Sequence, residues 1–341
     1  MSRSASVPPA SVPPGFGTDE FVLPEPAQRL RVRSADGSWL NAETFGPTGA
    51  PIVVLVHGWT CNTAFWAPVV HRLAADHQVI AYDQRGHGRS DIPVSRSGYS
   101  TRALAEDLQA VVTRLVPEGR RAVLAGHSMG GMTIMAAGGR HAVAERTAAV
   151  LLCSTGASDL TDHLRVLPPL VRPPALRRAL HRHVLQSALP MGPVTALSKA
   201  LLKQGTMGPG ATAEQVAACA GIVHACPAGV RAGAARMLGD LDVRPGLTML
   251  EAPTAIMVGS RDKLTPPPHA HAMYAALRRP DGLRELPGTG HMAPIERPDE
   301  VTAELRRLVH THLAGDQLTG AHPTGAHPTS AHPTSERTEV V

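Results

Sequence analysis

Short, wholly apolar runs recur along the chain and are separated by longer stretches with helical periodicity. Leu30 and Val32 alternate with polar residues, Asp36-Gly37 is a turn signal, and alternation resumes from Leu40 to Thr44, which predicts an opening hairpin. Ile52 to Val56 then forms an uninterrupted apolar run, and similar runs follow at Val79 to Tyr82, Ala122 to Ala125, Ala149 to Cys153 and Thr254 to Val258. Runs of this kind fit strands covered on both faces, as in a parallel sheet. Between them, residues 101–116 place Leu104, Leu108, Val111, Val112 and Leu115 on one helical face, with Ser100 positioned to cap the start. A second helix is predicted from Pro298, a residue suited to the first turn, through Val301, Leu305, Leu308 and Leu313. A short strand is expected at Leu283 to Leu286. Strands alternating with helices imply right-handed crossovers and an open twisted sheet, with ligands bound beyond the carboxyl ends of the strands.

The alternation breaks after Gly156. From there to about Gly239 come Pro-rich turns and helical stretches without a convincing strand, so residues 157–239 are predicted to be an inserted helical lid. Within it, Leu176, Leu180, Val184, Leu185 and Leu189 form one stripe while Arg177, Arg178 and Arg182 point elsewhere. Covering an apolar pocket accounts for this stripe; plain packing and contact with an anionic membrane are the alternatives. Residues 18–156 and 240–315 make up the core. Residues 1–17, with Pro8, Pro9, Pro13 and Pro14 among Ser, Ala and Gly, cannot bury enough apolar surface to offset chain entropy and are expected to be a disordered arm. Residues 316–341 are expected to be a disordered tail, in which Ala-His-Pro-Thr repeats place His322, His327 and His332 with no catalytic role.

Composition narrows the function classes. The chain has 341 residues, 43% of them apolar, which excludes collagen-like, mucin-like and mostly disordered proteins. No apolar run is long enough to span a bilayer, and residues 1–20 lack the apolar stretch of a secretory signal, so stable membrane insertion is not expected and the expected compartment is the cytoplasm. Cys61, Cys153, Cys219 and Cys226 are too few and too scattered for a disulfide framework or a zinc ribbon, and are expected to be buried thiols. The net charge of +5 is local: residues 157–239 hold nine Arg or Lys against Asp159, Asp162 and Glu214. No aromatic residues are interleaved with this basic excess, so nucleic-acid binding is not expected. His181, His183 and His224 in the same segment suit solvated or packed positions better than metal ligation.

The strongest chemical signal is Gly126-His127-Ser128-Met129-Gly130-Gly131, between the apolar strand 122–125 and a small-residue stretch that can start a helix. A strained strand-to-helix turn needs glycine on both sides, pushes the serine hydroxyl out of the sheet and aims unpaired helix N–H groups at a developing negative charge. A serine hydroxyl is a poor nucleophile without a base and a group that orients the base. Asp262 follows the strand 254–258, and His291 lies in the glycine-rich loop after the strand 283–286. A turn-capping role for Asp262 and a plain loop position for His291 remain open, as do Asp240 and Asp242 as rival acids that precede the last long strand. Backbone N–H groups of Met129 and of Trp59, in His57-Gly58-Trp59-Thr60, are the candidates for an oxyanion site.

With these residues in place, the chain resembles a serine hydrolase of the α/β-hydrolase fold family. The likeness covers residues 28–156 and 240–314 and rests on His57-Gly58, the loop Asp83 to Ser90, the elbow around Ser128, and Asp262 with His291. The loop Asp83 to Ser90 is similar to one in epoxide hydrolases and haloalkane dehalogenases; those relatives use an aspartate where this chain has Ser128, which argues against both activities. The resemblance implies a mostly parallel eight-stranded sheet with helices on both faces, a site at its carboxyl edge and a helical cap inserted after the sixth strand. The single glycine of His57-Gly58-Trp59 resembles the compact oxyanion loops associated with short to medium acyl groups. The expected activity is cofactor-free, metal-free hydrolysis of small-molecule esters of small to medium apolar acids. Carbon–carbon bond hydrolysis, perhydrolysis and acyl transfer on the same three residues are the alternatives, and a non-catalytic ligand-binding protein of the same fold is another.

Overall fold

The computed structural model describes residues 19–160, 188–189 and 191–313. Eight strands form one sheet: β1 (Gln28–Arg33), β2 (Trp39–Phe45), β3 (Ile52–Val56), β4 (Gln78–Tyr82), β5 (Ala122–His127), β6 (Thr147–Cys153), β7 (Thr254–Gly259) and β8 (Pro280–Leu286). Their spatial order is β1-β2-β4-β3-β5-β6-β7-β8. Only β2 runs antiparallel to its neighbours; every other pairing between adjacent strands is parallel.

The apolar runs are continuous because two cores claim alternate residues. Val54 and Val56 enter one core with Leu124, Leu152 and Ile256, while Val53 and Leu55 enter the opposite core with Val123, Leu151 and Met257. The two-residue repeat of a strand sends neighbours to opposite faces, so a strand covered twice has no polar side to show. The helix Thr101–Leu115 closes the first face with Leu104, Leu108, Val111 and Val112, and Ser100 caps it through a hydrogen bond accepted from the Ala103 N–H (3.2 Å). The helix Pro298–Leu313 closes the other with Val301, Leu305, Leu308 and Leu313. Each fully buried Leu or Val contributes about 1.5–3 kcal/mol through removal of apolar surface from water.

β8 begins three residues before the short strand expected at Leu283 to Leu286. Its first half, Pro280-Asp281-Gly282, looks unlike a strand. Because β8 is the last strand of the sheet, only one side is paired and a proline can be accommodated there.

Between β6 and β7 the described residues form the helices Ala196–Thr206, Ala213–His224, Ala228–Gly239 and Arg244–Met249 and contain no strand. Thr195 and Thr212 start the first two with reciprocal capping boxes to Ser198 and Gln215. The two ends of this segment meet at its neck, where Ser158 and Asp242 form an antiparallel bridge and the Val243 N–H donates to the Ala157 carbonyl (2.8 Å). Most of the expected leucine stripe, with its arginines, His181 and His183, lies outside the described residues, as do the arm 1–17 and the tail 316–341. All four cysteines are buried thiols. Among the described residues, no single helix is long and apolar enough to cross a membrane.

Candidate active site

β5 ends at His127, and the helix Met129–Ala136 starts at the next residue but one, leaving Ser128 alone to make the turn. Its backbone sits at φ 52°, ψ −119°, a conformation an L-residue adopts only when its surroundings hold it there. They do so from both sides. The Ser128 N–H donates to the Cys153 carbonyl of β6 (3.0 Å), and the Ser128 carbonyl accepts from the Thr155 hydroxyl (2.7 Å) and the Gly131 N–H (2.9 Å). Side chains are excluded from the glycines around it. A Cβ at Gly126 would lie 2.5 Å from the Gly131 nitrogen, one at Gly130 would lie 2.1 Å from the Val56 carbonyl oxygen, and one at Gly131 would lie 2.7 Å from the Thr155 methyl.

Asp262 and His291 come together from the ends of β7 and β8. The His291 Nδ1–H donates to Asp262 Oδ2 at 2.8 Å, and the two residues are only 2% and 3% exposed. That bond puts the imidazole hydrogen on Nδ1 and leaves Nε2 as a proton acceptor. The Asp262 carboxylate also accepts from the backbone N–H groups of Leu264 (2.8 Å) and Thr265 (2.9 Å) and from the Thr265 hydroxyl (3.0 Å). The Asp262 carboxylate therefore caps its own turn and at the same time accepts from the His291 ring. His291 adjoins the elbow through His127: the rings are 4.9 Å apart, and the His127 Nε2–H donates to the His291 carbonyl (2.8 Å). No hydrogen bond joins the Ser128 hydroxyl to His291 in this state.

The loop after β3 lies against the same turn, since a Cβ at Gly58 would be 3.1 Å from the Ser128 Cβ. The backbone N–H groups of Trp59 and Met129 have no hydrogen-bond partner among the described residues. Two buried neutral histidines hold the loop. His57 accepts from the Gln84 N–H (2.9 Å) and donates to the Gly58 carbonyl (2.7 Å), while His87 accepts from the Thr60 N–H (3.3 Å) and donates to the Arg85 carbonyl (3.0 Å). Burial pushes His57 down to about 4 and His87 down to about 3, so both remain uncharged at neutral pH. The loop Asp83 to Ser90 is the support behind them. Buried Asp83 accepts from Thr63, Asn41 and Arg89, and a Cβ at Gly88 would come within 2.2 Å of the Asp83 carboxyl carbon. Arg85 pairs with Asp107 through two 2.7 Å bonds.

Residues 53–305 match the model of the Alpha/beta hydrolase family. The chain belongs to that family. It is 38% identical over 96 residues to a protein named probable oxidoreductase EphD of Mycobacterium tuberculosis (28% of this chain, 16% of that protein). It is 37% identical over 101 residues to the bifunctional esterase/perhydrolase DCH of Acinetobacter calcoaceticus (29% of this chain, 35% of that one). The chain thus spans well under half the length of these curated relatives. Among solved structures, a thermophilic esterase from Thermogutta terrifontis superposes with a TM-score of 0.66 at 24% identity, covering 84% of this chain and 100% of that one.

Several residues that shape this α/β hydrolase's candidate site are not legible as motifs. Glu296 accepts from the backbone N–H groups of Gly290 (3.0 Å), Met292 (3.1 Å) and Gly208 (2.7 Å), gripping the His291 loop from both sides and tying it to the segment between β6 and β7. Burial raises the Glu296 carboxyl, against the pull of those three N–H groups. The same segment takes the His291 N–H on the Thr206 carbonyl (2.7 Å) and the Lys263 ammonium on the Gln204 carbonyl (2.5 Å). The only sequence trace of this contact is Gly208 and Gly290: a Cβ on the first would lie 2.0 Å from the Gly288 oxygen, and one on the second 2.5 Å from the Gly208 nitrogen. Of the rival acids, Asp242 is engaged with Arg244 (2.6 Å) and Asp240 is exposed at the end of a helix; neither faces His291. His224 Nδ1–H donates to the Gly192 carbonyl (3.1 Å), and among the described residues no group of His, Cys, Asp and Glu is arranged to hold a metal.

Proposed function

We propose that this α/β hydrolase is a serine esterase that cleaves esters of small to medium apolar carboxylic acids through an acyl-enzyme. The observation that carries the reading is the buried 2.8 Å His291–Asp262 pair, packed through His127 beside a serine on a strained turn, together with two backbone N–H groups that have no partner among the described residues. Ser128 Oγ attacks the ester carbonyl while His291 Nε2 takes its proton. The Trp59 and Met129 N–H groups hold the oxyanion, each worth roughly two to three powers of ten in rate. Collapse expels the alkoxide, which takes the proton back from His291. Water, deprotonated by His291, then attacks the acyl carbon and releases the acid, returning the hydrogen to Ser128. The Ser128–His291 hydrogen bond closes in the substrate complex, as such bonds are often open in the free enzyme. Every step uses groups of the chain itself. The segment 157–239 acts as the lid over the acyl group, its contacts to the His291 loop linking substrate enclosure to the base.

The test is Ser128→Ala assayed with aryl esters of increasing acyl length, together with mass spectrometry after fluorophosphonate treatment. The expected result is loss of turnover by at least about 10⁴-fold and an adduct on Ser128 in the parent protein only; unchanged turnover in the variant overturns the mechanism. The likeness to an esterase/perhydrolase favours one second reading, in which hydrogen peroxide replaces water on the same acyl-enzyme and the product is a peracid. Peracid formation that outruns acid release at millimolar peroxide distinguishes it.

A further inference from the structure

The candidate active site leaves the basic excess of the inserted segment unused, and one part of it lines a cavity away from that site. This cavity, of about 370 Å³, lies between the loop that follows β4 and the helix Ala228–Gly239. Its size falls within the range of small-molecule sites. Neither Ser128, Asp262 and His291 nor Trp59 and Met129 line it. The helix that forms one wall meets the active-site loop elsewhere, where the Arg231 carbonyl accepts from the Trp59 indole (3.0 Å).

The walls are apolar and tightly joined. Val230 packs where a Cβ at Gly86 would come within 2.9 Å of its methyl, and the Tyr99 ring lies where a Cβ at Gly233 would come within 2.8 Å. Ile92, Val94 and Met237 complete the apolar lining, and Ile92 and Val94 are exposed although large and apolar. Two arginines, Arg96 from the loop and Arg236 from the helix, stand on opposite walls. Neither guanidinium has a hydrogen bond or ion pair among the described residues, and the Tyr99 hydroxyl likewise has no partner there. Arg31, Arg85 and Arg244 each pair with a neighbouring aspartate, whereas the described residues that line the space beside Arg96 and Arg236 include no acid. An apolar wall with two unpaired guanidiniums recognises an anion that carries its own hydrocarbon, and the planar fork of arginine matches a carboxylate.

We propose that this cavity is a second ligand site, separate from Ser128, which binds an apolar carboxylate with its head between Arg96 and Arg236 and its hydrocarbon against Val230, Tyr99 and Met237. The inference does not depend on the reaction at Ser128.

The test is calorimetric titration of the full chain with sodium octanoate, before and after fluorophosphonate treatment, with octan-1-ol and octylamine as uncharged and cationic counterparts. Expected are one octanoate site unaffected by the phosphonate, at least tenfold weaker binding of octanol, and no binding of octylamine. Arg236→Ala and Arg96→Ala each weaken octanoate at least tenfold; Arg96 is on an exposed loop, so its loss tests the site even if the helix tolerates no change. Gly229 lines the cavity with open space beside its Cα, and Gly229→Phe should fill the cavity and abolish binding without altering the melting temperature by more than a few degrees. Octanoate affinity that is unchanged in Gly229→Phe, that disappears on phosphonate treatment, or that is absent in the parent chain overturns the proposal. Absence of a Ser128 adduct would count against the esterase reading and leave the octanoate result standing.

Discussion

Two loops flank Ser128, and they are held in different ways. The loop of His57 to Thr60 is fixed from within the core: neutral imidazoles, the Gln84 amide and the sheet backbone take up its polar groups, and nothing from the inserted segment is needed apart from the Trp59 indole contact. The loop of Gly288 to Met292 is held from two sides: from the core by the Glu296 carboxylate, His127 and the Arg261 N–H, and from the segment between β6 and β7 by the Thr206 carbonyl and, through Glu296, by Gly208. The first is therefore organised whenever the sheet is folded, while the second also requires the insertion to be seated. Electrostatic stabilisation works best with dipoles fixed in advance, which suits the oxyanion role proposed for the first loop, while seating of the insertion bears on the loop that carries the proposed base.

The contrast can be broken most severely at its chemical end. Asp262→Asn keeps the turn but removes the acceptor that sets the His291 tautomer, and turnover should fall by about 10⁴-fold in steady-state assays, with the fold intact by circular dichroism. Next in size is an effect confined to the core-held loop. His57 and His87 are neutral in the fold at pH values where the unfolded chain is protonated, so the unfolded state binds more protons between about pH 6.5 and 4 for His57, and down to about 3 for His87. Their contribution to stability is complete above pH 6.5 and is lost as the pH falls; His57 alone should cost about 3 kcal/mol by pH 4. Urea unfolding at pH 7 and pH 4.5 measures it, and a flat profile would remove the core-held half of the comparison.

On the other loop, Glu296→Gln should lower kcat by about 10- to 100-fold with little change in KM, because the amide cannot serve three N–H donors and the His291 loop loosens while the binding surface stays. An equal rise in KM would show that Glu296 shapes the pocket instead of the base. The smallest effect is expected at Asp242→Asn, where the side chain meets only exposed Arg244 and turnover should stay within about twofold of the parent. A loss comparable to that of Asp262→Asn would reassign the acid.

Much of this arrangement is visible in the sequence because it is local. The glycines at 126, 130 and 131 announce the elbow, since no other residue fits within 2.1–2.7 Å of neighbouring atoms, and the apolar runs announce strands buried twice. Ser128, Asp262 and His291 stand out because each follows a strand, where the fold opens. Glu296 carries no such mark: it is an ordinary acidic residue in a four-residue helix until Gly208, distant by 88 positions, arrives beside it. His127 gives no clue that its ring packs 4.5 Å from Phe65 and 4.9 Å from His291. The start of β8 at Pro280 is equally hidden, because a proline is tolerable only when the strand proves to be an edge.

What the chain determined on its own is the set of elements and the turn at Ser128, both consequences of backbone sterics and of apolar periodicity within a few residues. Tertiary structure alone decided which acid meets His291 and which segments brace the two loops, and it alone brought Arg96 and Arg236 to one cavity. Those outcomes depend on distances between residues far apart in the chain, which only the packed sheet and its insertion define.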